Sequence, residues 1–268
     1  MATAGGAAAV LVAGAARSAP PQERPRLAPP VRIAAVLSVV VPAYNEETRL
    51  PGTLVRIRAY LEGSGEEHEV IVVDDGSADA TATAAESLSA SWPQLRVLRL
   101  AENAGKGAAV RTGMLQARGE LRLFTDADLS TPMEELPRLR ERLGGDCEVA
   151  IASRAIRGAT IEVHQPGRRE LMGRVYNRLL RVVVLPGIHD SQCGFKLFTA
   201  EAAVACFTPL RTPRFGFDAE VLLRARRHGW TIAELPVHWR HVEASRVAPL
   251  RDGFQTLIDL IRLRFLRV

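Results

Sequence analysis

At 268 residues, with 47% hydrophobic and 24% charged side chains, the chain has the makeup of a globular protein that buries a substantial core in one large domain or two small ones. Its 35 basic and 30 acidic residues leave a net charge of +5, a mild excess that suits an anionic substrate or an anionic membrane surface. Aromatics at 5% without basic–aromatic interleaving argue against nucleic acid, and Cys147, Cys193 and Cys206, none at CxxC spacing, indicate neither a disulfide framework nor a zinc site.

Residues 1–35 are rich in Ala, Gly and Pro. Their apolar run falls short of the roughly 20 residues of a spanning helix, and no basic stretch precedes it as in a signal peptide. A disordered tail is expected. Arginines interrupt every later apolar segment, so no transmembrane span is expected there either. From Val36 a continuous apolar run, "VLSVVVPAYNE", ends in a turn, as in a strand buried on both faces. A helix is predicted from Glu47 to Leu61. "HEVIVVDDGS" repeats the strand-to-turn pattern, with Asp79 as N-cap of a helix through Leu88. "LRVLRL" is a third strand, followed by a helix from about Gly105 to Ala117. "ELRLFTDAD" is a fourth, Pro132 opens another helix, and "CEVAIASR" is a fifth. This alternation predicts an α/β fold with a mostly parallel sheet, whose ligands collect at the carboxyl ends of the strands. The polar clusters Asn45-Glu46, Asp74-Asp75 and Asp126-Asp128 all fall at such ends, which makes them one site.

Two carboxylates one residue apart at a buried strand end repel each other and resist desolvation. A divalent cation removes that cost, and the all-oxygen ligand set favours Mg²⁺ or Mn²⁺ over zinc. An Asp-x-Asp pair alone is weak, since many are solvated loops; beside "PAYNE" and "VVDDGS" it points to a metal-bound phosphate. "ENAGKGAAVRTG" lacks the spacing of a Walker loop. It reads either as a helix start with glycines for close packing or as a place where Lys106 and the helix N-terminus lie near a nucleotide.

The second half is less regular: a helix around Arg169 to Val184, a strand-like "DSQCGFKLF", a helix from about Phe217 to His228, a strand "TIAELPVHW" and a final helix from about Pro249. Arg174, Arg178 and Arg181 share one helix face beside Leu171, Val175, Leu179 and Val182. Either this is a solvated face over a core face, or the helix lies at a membrane interface. The C-terminal "FQTLIDLIRLRFLRV" has the same character. His164, His189 and His228 read as surface residues; His238 and His241 flank a Trp-Arg pair near the site, where a phosphate or metal role competes with a surface one.

Together "VVVPAYNEE", "VVDDGSADAT", "NAGKGAAVRTGM", "TDADLSTP", "ASR", "DSQCGFKLF", "FGFDAEVL" and "SRVAPLRDG" resemble the family 2 glycosyltransferases of the GT-A fold. Within these they are most similar to the polyprenyl-phosphate sugar transferases of the dolichyl-phosphate glucosyltransferase type. The resemblance implies a GT-A domain over residues 36–253, with 254–268 as an amphipathic helix. It implies that Pro42, Tyr44 and Glu46 line the nucleotide pocket and Asp75 bonds the uracil. Asp126 faces the ribose and metal, Asp128 binds the metal, and Arg154, with Arg168 or Arg169, meets the acceptor phosphate. Ser245 and Arg246 close over the diphosphate. Where the mannosyl type has a metal-binding Gln, this chain has Ser130, which leaves a third protein ligand unassigned. The implied reaction is metal-dependent, inverting transfer of a hexose, glucose from UDP-glucose in the first instance, to polyprenyl phosphate. GDP-mannose as donor, a soluble hydroxyl acceptor with Asp190 as base, and non-catalytic nucleotide-sugar binding are the rivals. Asp190 and Glu220 would either orient hydroxyls or pair with nearby arginines. The expected location is the cytoplasm, peripherally on the cytoplasmic membrane face.

Overall fold

The computed structural model describes residue 1 and residues 36–145, 147–163, 178–214 and 216–240. The tail, the C-terminal helix, Arg168, Arg169, Arg174, His164, His241, Ser245 and Arg246 lie outside the described residues. Strands β1 (Leu37–Ala43), β2 (His68–Asp74), β3 (Leu95–Arg99), β4 (Leu121–Thr125), β5 (Cys147–Ser153), β7 (Phe195–Thr199) and β8 (Thr231–Pro236) form one sheet in the order β3-β2-β1-β4-β7-β5-β8. β7 runs antiparallel to both its neighbours, and the other pairings are parallel. A second, two-stranded parallel sheet joins β6 (Thr160–Val163) to β9 (His238–Arg240).

Alternation along β1 shows why its sequence is apolar throughout. Val39 and Val41 pack on one face with Leu50, Leu54, Ile57 and Leu61, which recur at helical spacing on α1 (Leu50–Ser64). Val40 packs on the other face with Val110 and Met114 of α3 (Lys106–Gln116). α2 (Thr81–Ser89) and α4 (Leu136–Arg140) join the first layer through Ala85, Leu136 and Leu139. The second layer takes in α5 (residues 178–183), α6 (Ala200–Phe207) and α7 (Phe217–Arg227). Gly113 lets α3 close on β1, because a Cβ there would lie 2.3 Å from Val40 Cγ1.

Some boundaries differ from the sequence reading. α1 begins at Leu50 and not at Glu47, since Asn45 takes a left-handed turn (φ 54°) and Glu46 donates its N–H to Thr81 Oγ1 (2.7 Å). Asp79 caps from outside: its carboxylate accepts from Thr81 N–H (3.0 Å), while Ala80 occupies the N-cap. Pro132 precedes a 3₁₀ turn, Met133–Glu135, that runs into α4. "TIAELPVHW" divides after Pro236: Val237 N–H still donates to Ser153 O (3.3 Å), and the next residues, β9, pair with β6 instead. All three cysteines are buried and none forms a disulfide.

Candidate active site

The carboxyl ends of β1, β2 and β4 lie together because these strands are parallel neighbours. At the end of β1, Pro42 is buried and Tyr44 exposed. Asn45 ties this end to the next: its N–H donates to Ser77 Oγ and its side-chain oxygen accepts from Ala78 N–H, each at 2.9 Å. The Glu46 carboxylate lies 3.5 Å from Arg49 Nε.

At the end of β2, Asp75 is buried, and its carboxylate accepts from Asn103 Nδ2 (3.0 Å), Ala104 N–H (2.9 Å) and Gly105 N–H (2.9 Å). Burial pushes its carboxyl above the usual range, and these N–H groups only partly offset that. Asp75 thereby fixes the turn that starts α3 and places Lys106. Gly105 is required there: at φ 104° a Cβ would also lie 2.6 Å from Pro213 O.

At the end of β4, Asp126 and Asp128 are half-buried. Lys106 Nζ stands 2.6 Å from Asp126 Oδ1. The Asp126 carboxylate packs against Gly194, where a Cβ would fall 2.0 Å from Oδ2, and Asp126 N–H donates to Gly194 O (3.0 Å). Asp128 Oδ1 accepts from Ser130 N–H (2.9 Å), closing the turn on itself. Burial first, then the neighbouring Asp126 charge, raises the Asp128 carboxyl. From outside, Thr53 Oγ1 donates to Ala127 O (2.6 Å) and Arg240 N–H to Ser130 O (2.9 Å).

β7 completes the site by running backwards. Thr125 of β4 pairs with Phe195 at the start of β7, so residues 190–194 arrive beside the acidic pair. Asp190 there takes a two-pronged contact from Arg154, Nε to Oδ2 at 2.6 Å and Nη2 to Oδ1 at 2.9 Å, plus the Arg154 backbone N–H at 3.0 Å. Arg154 therefore pairs with Asp190. Burial would raise the Asp190 carboxyl, but the Arg154 guanidinium overcomes it and holds it down to about 2. Arg154 also stacks over Trp239, its Cζ 5.3 Å from the ring centroid.

The sequence profile of glycosyl transferase family 2 matches residues 38–207, which carry all these strand ends. The chain belongs to that family. A dolichyl-phosphate beta-glucosyltransferase of Homo sapiens is 38% identical over 245 residues, covering 86% of this chain and 76% of its own. One from Dictyostelium discoideum is 34% identical over 241 residues, covering 85% and 74%. Among solved structures, glucosyl-3-phosphoglycerate synthase from Mycobacterium tuberculosis, in complex with Mn²⁺, UDP and phosphoglyceric acid, superposes with a TM-score of 0.66. At 22% identity over 87% of this chain and 80% of that one, the likeness concerns the fold.

The acidic pair of this family 2 chain fits a hard dication. Asp126 Oδ1 is buried without a hydrogen-bond partner, a cationic ammonium stands beside it, and the donor atoms are carboxylate oxygens. Among the described residues no group of three or more His, Cys, Asp or Glu side chains converges. His238 is exposed, and its N–H binds Glu135 (3.0 Å). Glu220 serves structure: fully buried, it accepts from Thr212 N–H (2.8 Å) and Arg224 Nη2 (2.7 Å).

Sequence reasoning missed Gly194, whose role is set by a neighbour from a distant strand. It also missed the buried pair Lys196–Asp218 behind the site, where Lys196 Nζ donates to Cys193 O (2.7 Å) and lies 5.0 Å from the Phe124 ring centroid. A signal existed: a lysine inside the apolar run "GFKLF" needs a buried counter-charge.

Proposed function

We propose that this chain is an inverting glucosyltransferase that moves glucose from UDP-glucose to a polyprenyl phosphate of the dolichyl type, giving a β-linked lipid-phosphate sugar. The observation that carries this reading is the 38% identity over 86% of the chain to a dolichyl-phosphate beta-glucosyltransferase. In this reading Pro42, Tyr44 and Glu46 bound the nucleotide pocket. Asp75, its carboxylate held in place by Asn103, Ala104 and Gly105, faces the uracil. Asp126 and Asp128 hold Mg²⁺ or Mn²⁺, which when bound neutralises the departing diphosphate. Arg246 and Ser245 close over that diphosphate.

The acceptor is a phosphate monoester, anionic at neutral pH, so it needs positioning and charge neutralisation more than a general base. Arg154 supplies both. Asp190 occupies two of its donors and fixes the plane of the guanidinium, with Arg168 or Arg169 adding charge. Asp190 itself, ionised and bonded to Arg154, is poorly suited to accept a proton from a hydroxyl acceptor.

Among the described residues no helix is long and apolar enough to cross a membrane. Leu179, Val182 and Val183 of α5 are exposed beside Arg178 and Arg181. These residues support peripheral attachment to a membrane surface, for which the cytoplasmic face is proposed, with leucine and valines among acyl chains and arginines at lipid phosphates. The test incubates the chain with Mn²⁺ and labelled UDP-glucose or GDP-mannose, offering polyprenyl phosphate or a water-soluble alcohol. Label entering the lipid from UDP-glucose alone is expected. Transfer to the alcohol, or only from GDP-mannose, would overturn the assignment.

A further inference from the structure

Lys106 stands at the start of α3 with its ammonium against the buried Oδ1 of Asp126 (2.6 Å). Among the described residues this ammonium is the cation that faces that oxygen. The carboxylate cannot retreat from it, because its other side is packed flat on Gly194. Lys106 also lies under the ring of Phe217, 6.0 Å from the centroid, and faces the charges of Asp218 and Asp128. Asp218 is already engaged by Lys196.

We propose that Lys106 is a built-in counter-cation that holds the cation position of Asp126, competes with the divalent ion, and yields it when a nucleoside diphosphate arrives. The inference rests on the metal-dependent reading above and adds to it the residue that controls metal entry. A divalent ion bound to this oxygen would sit at about 2.0–2.1 Å from it. With the ammonium at 2.6 Å from the same atom, two like charges would then lie within roughly 5 Å in a half-buried site where water screens poorly. Both cannot stay. The phosphate oxygens of an incoming nucleotide offer the ammonium a new partner and offer the metal further hard ligands, so nucleotide and metal favour each other. Without nucleotide, Lys106 neutralises the acidic pair and keeps Asp126 in place.

Mn²⁺ binding by the full chain, followed by the electron paramagnetic resonance signal of free Mn²⁺ with and without UDP, tests this on wild type, Lys106→Met and Lys106→Arg. Lys106→Met should bind Mn²⁺ alone on the order of tenfold more tightly than wild type, with less added gain from UDP. Lys106→Arg, which keeps the charge, should resemble wild type. Unchanged or weaker Mn²⁺ binding by a folded Lys106→Met overturns the proposal. Lys106→Gln repeats the comparison if the Met variant misfolds; failure of both to fold makes Lys106 a structural residue and overturns it too. Wild type that ignores Mn²⁺ even with UDP overturns the metal-dependent reading itself, whereas binding indifferent to position 106 removes only the counter-cation.

Discussion

The side of the site built from the ends of β1, β2 and β4 and the side built from β5, β7 and α7 are both rich in carboxylates, and they settle them differently. On the first side backbone N–H groups do most of the work: Asp75 holds Ala104 and Gly105, and Asp79 holds Thr81. On the second side the partners are cationic side chains, the half-buried Arg154 for Asp190 and the buried Lys196 and Arg224 for Asp218 and Glu220. The reason is topological. Parallel strands that stop at one level leave loops whose N–H groups are free to turn inward. The reversed strand β7 carries Lys196 beneath the surface, where a charge persists only beside its opposite. The first side should therefore tolerate loss of a charge, and the second should not.

Five experiments break or sharpen that contrast. Asp128→Asn should lower kcat by about a thousandfold or more, since an amide is a poor ligand for a hard dication. Its melting temperature should stay level or rise, because a carboxylate raised by burial is lost; near-normal transfer would remove Asp128 from the machinery. Asp190→Asn should instead cost about 3 kcal/mol of stability in urea melts by leaving Arg154 without its counter-charge. A wild-type midpoint would mean that water replaces the pair.

Gly194→Ala probes the seam between the two sides. Its methyl must displace the Asp126 carboxylate, and a shift near 1 Å corresponds to a loss of about a hundredfold in kcat. Full activity would show that Asp126 has room to move.

Acid stability follows from Asp190, whose folded pKa of about 2 lies below its ordinary 3.8. A depressed carboxylate contributes stability that is complete above the unfolded value and is lost as pH falls through the folded one. About 2 kcal/mol should thus disappear between roughly pH 5 and pH 2 in wild type but not in Asp190→Asn, as read by chemical denaturation at each pH. Parallel losses in both would place the acid sensitivity elsewhere. The smallest effect concerns α5: replacing Arg178 or Arg181 by Gln should weaken flotation with anionic vesicles by about 1 kcal/mol each, and added salt should release the wild type. Equal flotation with neutral vesicles would point to apolar contact alone.

The succession of the first five strands along the chain, and the placing of Asn45, Asp75, Asp126 and Asp128 at strand ends, were legible from local pattern. Apolar runs ending in turns are set by neighbours within a few residues, and parallel packing then brings their ends together. Helix starts were less legible, because Asn45 and Asp79 act through bonds to a partner loop more than 30 residues away. The direction of β7 was not readable at all: "GFKLF" suits a strand running either way, and only pairing with β4 on one side and β5 on the other sets it. From that choice follow the cradle of Gly194 under Asp126, the Asp190 clamp on Arg154 and the pairing of Lys196 with Asp218. Such contacts join residues far apart in the chain, and burial energies that depend on the whole sheet select them.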